Sequence, residues 1–269
     1  MPSLSLGTED AISYDYAPPA DGVTFVFFNA LTGDRAMWAG VIAETLHAAG
    51  HGTLAWNMRG QAESPFTAGT RLDEALIVAD ARALLAHVDP PRPMLVGLSI
   101  GGLFAARTML AGAEALGLVL INTVRRDCAR LRWVNDAIVR CAEVGGLELF
   151  RDLFCPLLFN EAWLAENRGS FLGKRKYAPI DRVSGHYALL IGGGGAEWDL
   201  PYEDLRVPVL VVTGLQDRVF LDDADVEALA ARIPRVARVN MADAGHMLPA
   251  ERPEALAGAL IDFAGRLRG

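Results

Sequence analysis

The chain has 269 residues, with 25 lysines and arginines against 33 aspartates and glutamates, which gives a formal net charge of −8. Hydrophobic residues make up 52% of the sequence and charged residues 22%, which is typical of a globular protein and too apolar for intrinsic disorder. A chain of this length can bury a large core unaided, so we expect one domain with an insertion. The acidic balance argues against nucleic acid as a partner, because binding to phosphates requires a basic surface.

The spacing of the cysteines and the length of the apolar stretches indicate whether the protein binds a metal and where in the cell it is located. Cys128, Cys141 and Cys155 show no CxxC spacing, so we predict free, buried thiols in a reducing compartment rather than a zinc site or disulfides. The first residues lack the charged and apolar regions of a signal peptide. No apolar stretch reaches the roughly 18 to 20 residues of a membrane span. We therefore expect a soluble, cytoplasmic protein that binds neither membranes nor nucleic acid.

Short apolar runs alternate with longer helical patterns along most of the chain. The predicted strands are Val23–Phe28, Thr53–Trp56, Met94–Leu98, Leu118–Asn122, Val209–Thr213 and Val236–Met241. The predicted helices are Arg35–Ala49, Leu72–His87, Ile100–Ala111, Asp223–Arg232 and Pro253–Leu267. Continuously apolar strands predict a sheet covered on both faces, and the alternation of strands and helices predicts parallel strands. The first twenty residues predict a small antiparallel hairpin at one edge.

The alternation fails once, from Val124 to about Arg206. This segment contains no convincing strand, but it has two amphipathic helical pieces at Leu131–Val144 and Leu147–Leu158. It ends in the glycine-rich run 191–195, which we expect to be a loop. The predicted division is a core of residues 1–124 and 207–269 and a helical insertion of residues 125–206.

The most informative motif is Gly97-Leu98-Ser99-Ile100-Gly101, which lies between a predicted strand and a predicted helix. Such a turn holds its serine in strained backbone geometry and exposes the hydroxyl at the helix N-terminus, where the helix dipole favours negative charge. The alternative is a Gly/Ser turn without chemistry, because a bare G-x-S-x-G motif occurs often by chance. We predict that Ser99 is a nucleophile.

A serine nucleophile requires a base and a group that orients the base. Of the five histidines, only His246 follows the last predicted strand, at the sheet edge where Ser99 also lies. Asp217 follows the penultimate strand and is the predicted orienting acid. Three nearby aspartates are interpreted instead as acids at the start of the next helix; they are Asp222, Asp223 and Asp225.

The chain order Ser99, Asp217, His246 together with the serine motif resembles the α/β-hydrolase superfamily, in its soluble esterase, lactonase and haloperoxidase-like branch. The resemblance covers nearly the whole chain outside the insertion. Three further stretches are similar to family motifs. Residues 57–64 resemble D-x-R-G-x-G-x-S, with Asn57 in place of Asp and Ala62 in place of the second Gly. Residues 214–217 resemble the family's acid loop, and residues 244–246 together with 251–254 resemble its histidine loop. The resemblance implies a mostly parallel central sheet with helices on both faces.

The resemblance also implies a serine hydrolase that cleaves a small carboxylic ester through an acyl-enzyme, with no metal or other cofactor. Two backbone N–H groups, those of Leu31 and Ile100, are expected to form the oxyanion hole. Lactones and thioesters remain open as substrates. Two other functions also remain open: a carbon–carbon bond hydrolase with the same triad, and a non-catalytic ligand-binding protein of the same fold. The sequence predicts no oligomeric state.

By the same resemblance, the insertion covers the serine and supplies the substrate pocket. Trp133 and Trp163 are candidate substrate-binding residues, although such aromatic residues could instead pack the insertion onto the core. The other aromatic candidates are Trp198, Phe150, Phe154 and Phe159.

Two arginines, Arg125 and Arg126, directly follow the strand Leu118–Asn122 where the insertion begins. A guanidinium at this place could hold a substrate carboxylate through two hydrogen bonds. Alternatively, both arginines pair with acids such as Asp127 or point into solvent.

Overall fold

A central sheet organises the residues that the computed structural model describes, which are 2–173 and 176–267. Its strands are β1 (Ser3–Ser5), β2 (Ala11–Ala17), β3 (Thr24–Phe28), β4 (Gly52–Trp56), β5 (Pro93–Leu98), β6 (Gly117–Ile121), β7 (Val209–Gly214) and β8 (Val236–Met241). They lie in the order β1-β2-β4-β3-β5-β6-β7-β8. The strands from β4 to β8 in this order are parallel, whereas β1 and β2 pair antiparallel at the edge. The mostly parallel sheet and the edge hairpin are therefore confirmed.

Helices cover both faces of the sheet, as the apolar strands predicted. The helices are α1 (Val41–Ala48), α2 (Glu74–Val88), α3 (Ile100–Leu110), α4 (Ala129–Leu158), α5 (Glu161–Asn167), α6 (Gly185–Gly194), α7 (Asp223–Ala230), α8 (Leu248–Glu251) and α9 (Pro253–Arg266). Successive residues of β3 enter opposite cores: Phe25 and Phe27 pack with α1 and α9, and Val26 and Phe28 pack with α2 and α3. This alternation buries both sheet faces and accounts for the lack of polar residues in the central strands.

Two predicted segments differ from the structure. The helix predicted over Arg35–Ala49 is interrupted, because Gly40 adopts φ 61; a short 3-10 helix, Arg35–Trp38, precedes it and α1 follows. The run 191–195, predicted as a loop, is instead mostly the last turn of α6. A side chain at Gly192 would overlap the Leu72 carbonyl, so this glycine allows the helix to touch the core backbone.

The insertion between β6 and β7 contains α4, α5 and α6. Helix α4 bends sharply at Gly146, where φ is 73, and the bend separates the two amphipathic pieces that the sequence indicated. Cys155 is buried, while Cys128 and Cys141 are only half-buried, and all three are free thiols.

Two structural features are absent from residues 2–173 and 176–267. No helix there is long and apolar enough to cross a membrane. Those residues also contain no group of three or more histidine, cysteine, aspartate or glutamate side chains that could hold a metal ion.

Candidate active site

The turn between β5 and α3 holds Ser99 in a conformation that non-glycine residues rarely adopt, with φ 56 and ψ −122. Such geometry costs about 1–3 kcal/mol and persists only where its surroundings enforce it. The Ser99 N–H donates to the Ile121 carbonyl at 2.8 Å, and the Thr123 hydroxyl donates to the Ser99 carbonyl at 2.9 Å. A side chain at Gly101 would overlap the backbone at the end of β3, so this position requires glycine. The turn thereby directs the Ser99 hydroxyl away from the sheet.

Asp217 and His246 form a buried pair at the carboxyl ends of β7 and β8. His246 Nδ1 lies 2.6 Å from Asp217 Oδ2, and the other carboxylate oxygen accepts the N–H groups of Val219 at 2.9 Å and Phe220 at 3.0 Å. Burial raises the pKa of the Asp217 carboxyl. The attraction of His246 and the hydrogen bonds from His246 and the two N–H groups lower this pKa by more than burial raises it, so the pKa lies below its ordinary value. An ionised Asp217 favours a proton on Nδ1 and leaves Nε2 of His246 free to accept one.

The Ser99 hydroxyl and the His246 ring line the same cavity, with Asp217 behind the ring. In this arrangement Ser99 Oγ accepts a hydrogen bond from Nη2 of Arg125 at 2.9 Å. Within the described part of the chain, no hydrogen bond joins Ser99 Oγ to His246. A hydroxyl that accepts from Arg125 still has its own proton to donate, so the arrangement leaves transfer toward an imidazole open.

The loop that carries His246 is held by Glu251, a buried residue of α8 for which the sequence predicted no role. Its carboxylate accepts the N–H groups on both sides of the histidine, Gly245 at 2.8 Å and Met247 at 2.9 Å. It also accepts from the backbone and the side chain of Asn160 in the insertion, each at 2.7 Å. One carboxylate therefore ties the histidine loop to the insertion. In the sequence, the signal for this role is that Glu251 lies in residues 251–254, which resemble part of the family's histidine loop.

Replacement of Glu251 by glutamine should lower the free energy of unfolding by about 1–3 kcal/mol, because an amide nitrogen cannot accept the N–H groups that one carboxylate oxygen accepts now. Glu254→Gln, at an exposed position three residues later, is the matched control and should change stability by less than about 0.5 kcal/mol. Urea denaturation of both variants measures the difference. Equal stabilities would show that the four hydrogen bonds have no net effect.

Asn122, at the end of β6, joins the two loops that follow β7 and β8. Its side-chain nitrogen donates to the carbonyls of Gly245 at 3.0 Å and His246 at 2.9 Å, and its oxygen accepts the Gly214 N–H at 2.8 Å. In the sequence, Asn122 was predicted only as the last residue of a strand. Its amide fixes the distance between the loops that carry Asp217 and His246.

The loop after β3 lies on the other side of Ser99 and brings Leu31 to the same cavity as Ile100. Asn29 anchors this loop: its amide nitrogen donates to the Trp56 carbonyl at 2.7 Å and its oxygen accepts from the Trp38 indole at 2.8 Å. Among the described residues, no acceptor binds the backbone N–H of Leu31 or of Ile100. Two free N–H groups beside a serine are what an oxyanion hole requires.

A cavity of about 110 Å³ joins the serine turn to the insertion. Its apolar wall combines α4, α6, the segment after α6 and the loop after β7, and consists of Ile138, Val139, Phe150, Leu158, Leu190, Trp198 and Phe220. Two of the predicted aromatic candidates, Phe150 and Trp198, thus line the cavity.

The other two candidate tryptophans do not line this cavity, which corrects the expectation. Trp133 is 79% exposed, because α4 turns Asn135, Ile138 and Val139 toward the cavity and its opposite face toward solvent. Trp163 packs within the insertion, where its ring stacks on Phe159 with 3.8 Å between centroids.

The two arginines after β6 have different surroundings. Arg126 points away from the cavity, is 57% exposed and pairs with Asp225 at 3.0 Å; the structure therefore does not place it in the pocket. Its partner is not Asp127, which pairs with Arg132 at 3.3 Å. Asp222 caps α7 by accepting the Asp225 N–H at 3.2 Å, in line with the role expected for these acids.

Arg125, in contrast, lies in the cavity wall beside Ser99 and is only 6% exposed. Its guanidinium carbon lies 4.1 Å from the centre of the Trp198 ring and 4.5 Å from that of Phe220. Burial lowers the pKa of Arg125 to about 10, so the group remains protonated at neutral pH. The cavity therefore contains a positive charge beside the serine.

Known proteins resemble this chain along most of its length. A putative carbamate hydrolase, RutD of Variovorax paradoxus, is 28% identical over 181 residues, which span 65% of this chain and 64% of that protein. A malate-bound thermophilic esterase from Thermogutta terrifontis superposes with a TM-score of 0.81 at 21% identity, covering 99% of this chain and 97% of the other. The enol-lactonase of Burkholderia xenovorans LB400 superposes with a TM-score of 0.77 at 22% identity, covering 94% and 96%.

At such identities the two superpositions establish the fold alone. The family itself follows from a match over most of the sequence, because the model of the alpha/beta hydrolase family aligns with residues 25–259. By that match the chain belongs to the alpha/beta hydrolase family.

Proposed function

We propose that this protein hydrolyses small carboxylic esters through a covalent acyl-enzyme formed on Ser99. One observation carries the proposal: Ser99, on its strained turn, faces the same cavity as His246, and a buried carboxylate lies 2.6 Å from the far side of the imidazole. The chemistry that uses such a set is nucleophilic attack by a hydroxyl whose proton passes to an oriented base.

In the proposed reaction, Ser99 Oγ attacks the ester carbonyl and its proton passes to Nε2 of His246. Asp217 stabilises the imidazolium through Nδ1, and the N–H groups of Leu31 and Ile100 stabilise the negative oxygen of the tetrahedral intermediate. The C–O bond then breaks, and His246 returns the proton to the departing alcohol. Water repeats the sequence on the acyl-enzyme and releases the acid.

The insertion is proposed to act as a cap over this site. Its support is the composition of the cavity wall, in which residues of α4 and α6 face the serine turn. The names of the esterase and the enol-lactonase among the structural relatives make esters and lactones the first substrates to test. The carbamate hydrolase adds an acyl–nitrogen bond to the reactions worth testing.

A fluorophosphonate probe tests the proposal without knowledge of the natural substrate. We expect the purified protein to form one covalent adduct, which peptide mass spectrometry places on Ser99, and we expect heat-denatured protein to form none. Hydrolysis of methyl butyrate, followed by acid release, should disappear with labelling. A folded protein that neither reacts with the probe nor hydrolyses esters would instead be a non-catalytic member of the family.

A further inference from the structure

Arg125 differs from the other buried arginines in having no carboxylate partner. Arg35 pairs with Asp15 at 2.6 Å, and Arg59 pairs with Asp80 at 2.6 Å. No carboxylate of the described residues lies within ion-pair distance of Arg125. Asp217 attracts Arg125 only from beyond ion-pair distance. A buried charge without a direct ion-pair partner is costly, and proteins rarely keep one unless a ligand or a function requires it.

The hydrogen bonds of Arg125 leave part of its guanidinium unused. Nε donates to the Thr123 carbonyl at 3.3 Å, and Nη2 donates to the Asn122 carbonyl at 2.7 Å and to Ser99 Oγ at 2.9 Å. Nη1 donates to no described residue, and it is not among the fully buried atoms that lack a partner. Arg125 is thus a fixed cation in the cavity wall that keeps one donor group unused. A carboxylate is the ligand group that matches both the charge and the planar geometry of a guanidinium.

Arg125 and Leu31, one of the two expected oxyanion donors, follow strands on opposite sides of the strand that leads into Ser99. Leu31 follows β3 and Arg125 follows β6, and these strands flank β5, which leads into Ser99. The guanidinium therefore approaches the serine from the side of β6, opposite the loop that carries Leu31. It contacts Ser99 Oγ directly, so a group bound by the guanidinium would lie close to the carbonyl carbon that the serine attacks.

We propose that Arg125 selects esters that carry a carboxylate group close to the scissile carbonyl, such as monoesters of short dicarboxylic acids. The cavity volume of about 110 Å³ favours a short substrate. The Trp198 and Phe220 rings pack against the guanidinium and hold it in place. This inference names the substrate class of the same site and so rests on the proposed function.

The test compares two esters of nearly equal size, monomethyl succinate and methyl butyrate, which differ by a carboxylate in place of a methyl group. We expect the wild-type protein to have the higher kcat/KM for monomethyl succinate. In Arg125→Gln, the ratio of the two kcat/KM values should fall by about tenfold or more, equivalent to about 1.4 kcal/mol of lost discrimination. Arg125→Lys, which keeps the charge but not the fork of donors, should give an intermediate ratio.

The matched control is Arg126→Gln, because Arg126 is the adjacent arginine and lies outside the cavity. Its ratio should equal that of the wild type. Free succinate should also inhibit methyl butyrate hydrolysis more strongly than butyrate does, and Arg125→Gln should weaken the succinate inhibition about tenfold. The inhibition comparison on wild-type protein tests the proposal even if Arg125→Gln does not fold.

Three results overturn the inference. The first is a wild-type protein that hydrolyses methyl butyrate but shows no preference for monomethyl succinate. The second is equal loss of both activities in Arg125→Gln, which would make Arg125 a positioning residue for Ser99. The third is an equal effect of Arg126→Gln. All three results are compatible with the proposed ester hydrolysis. Absence of probe labelling at Ser99 would instead contradict both the proposed function and this inference.

Discussion

Replacement of Ser99 by alanine should lower kcat for ester hydrolysis by about 10⁴-fold or more, because the proposed triad would lose its nucleophile and such triads act as a unit. The fold should survive the change. Alanine loses a single oxygen, and Nη2 of Arg125 keeps its hydrogen bond to the Asn122 carbonyl at 2.7 Å. Thermal unfolding followed by circular dichroism should therefore give nearly the wild-type midpoint, while acid release from methyl butyrate falls to the background rate.

Ser3→Ala is the control for Ser99→Ala, since Ser3 lies exposed on the edge strand β1. It should retain full turnover and full labelling by a fluorophosphonate. Substantial turnover by Ser99→Ala protein that is free of contaminating esterase would refute the acyl-enzyme mechanism. Loss of activity in both variants would point to damage during preparation rather than to the chemistry of one residue.

The strand positions and the serine turn were predictable because short-range patterns determine them. Apolar runs of five or six residues form strands in a sheet buried on both faces, so the pattern of β3, β5 and β6 is visible in the sequence. The serine motif predicts the geometry of its turn, because the turn requires glycines where it approaches the neighbouring backbone. Loop positions after successive parallel strands then bring Asp217 and His246 to one sheet edge.

The cavity wall was not predictable in the same way, because it depends on how the insertion sits on the core. Trp133 faces solvent because of the rotation of α4, and no local pattern reveals that rotation. Arg125 and Arg126 are neighbours in the chain with the same chemistry, yet one is buried beside Ser99 and the other pairs with Asp225 on α7. Such differences arise from tertiary contacts among distant segments.

One departure from the family motif has a physical reason that only the structure reveals. Asn57 stands where the resembled motif has an aspartate, and its amide nitrogen donates to Glu63 at 3.1 Å while its oxygen accepts the Arg35 N–H at 2.7 Å. An aspartate at this position would place two carboxylates side by side. The neutral amide satisfies both neighbours, because it is a donor and an acceptor at once.

Asp217→Asn should lower kcat by about 10⁴-fold while the protein remains folded. The asparagine oxygen can keep the turn by accepting the Val219 and Phe220 N–H groups, which now bind Oδ1. The amide nitrogen would then face Nδ1 of His246 and donate to it, which forces the imidazole proton onto Nε2. An Nε2 that already carries a proton cannot accept one from Ser99, and the charge that stabilised the imidazolium is also lost.

The matched control is Asp222→Asn, a change at the N-cap of α7, where asparagine is an equally good cap. Its kcat should stay within about twofold of the wild-type value. In the wild-type protein the pKa of Asp217 is lowered, so this carboxylate stays ionised down to its ordinary pKa, and its own titration should reduce the rate only where the pH drops through the lowered value. Steady-state kinetics of both variants over a range of pH decide the assignment: a larger loss in Asp222→Asn than in Asp217→Asn would mean that Asp217 is not the acid that orients His246.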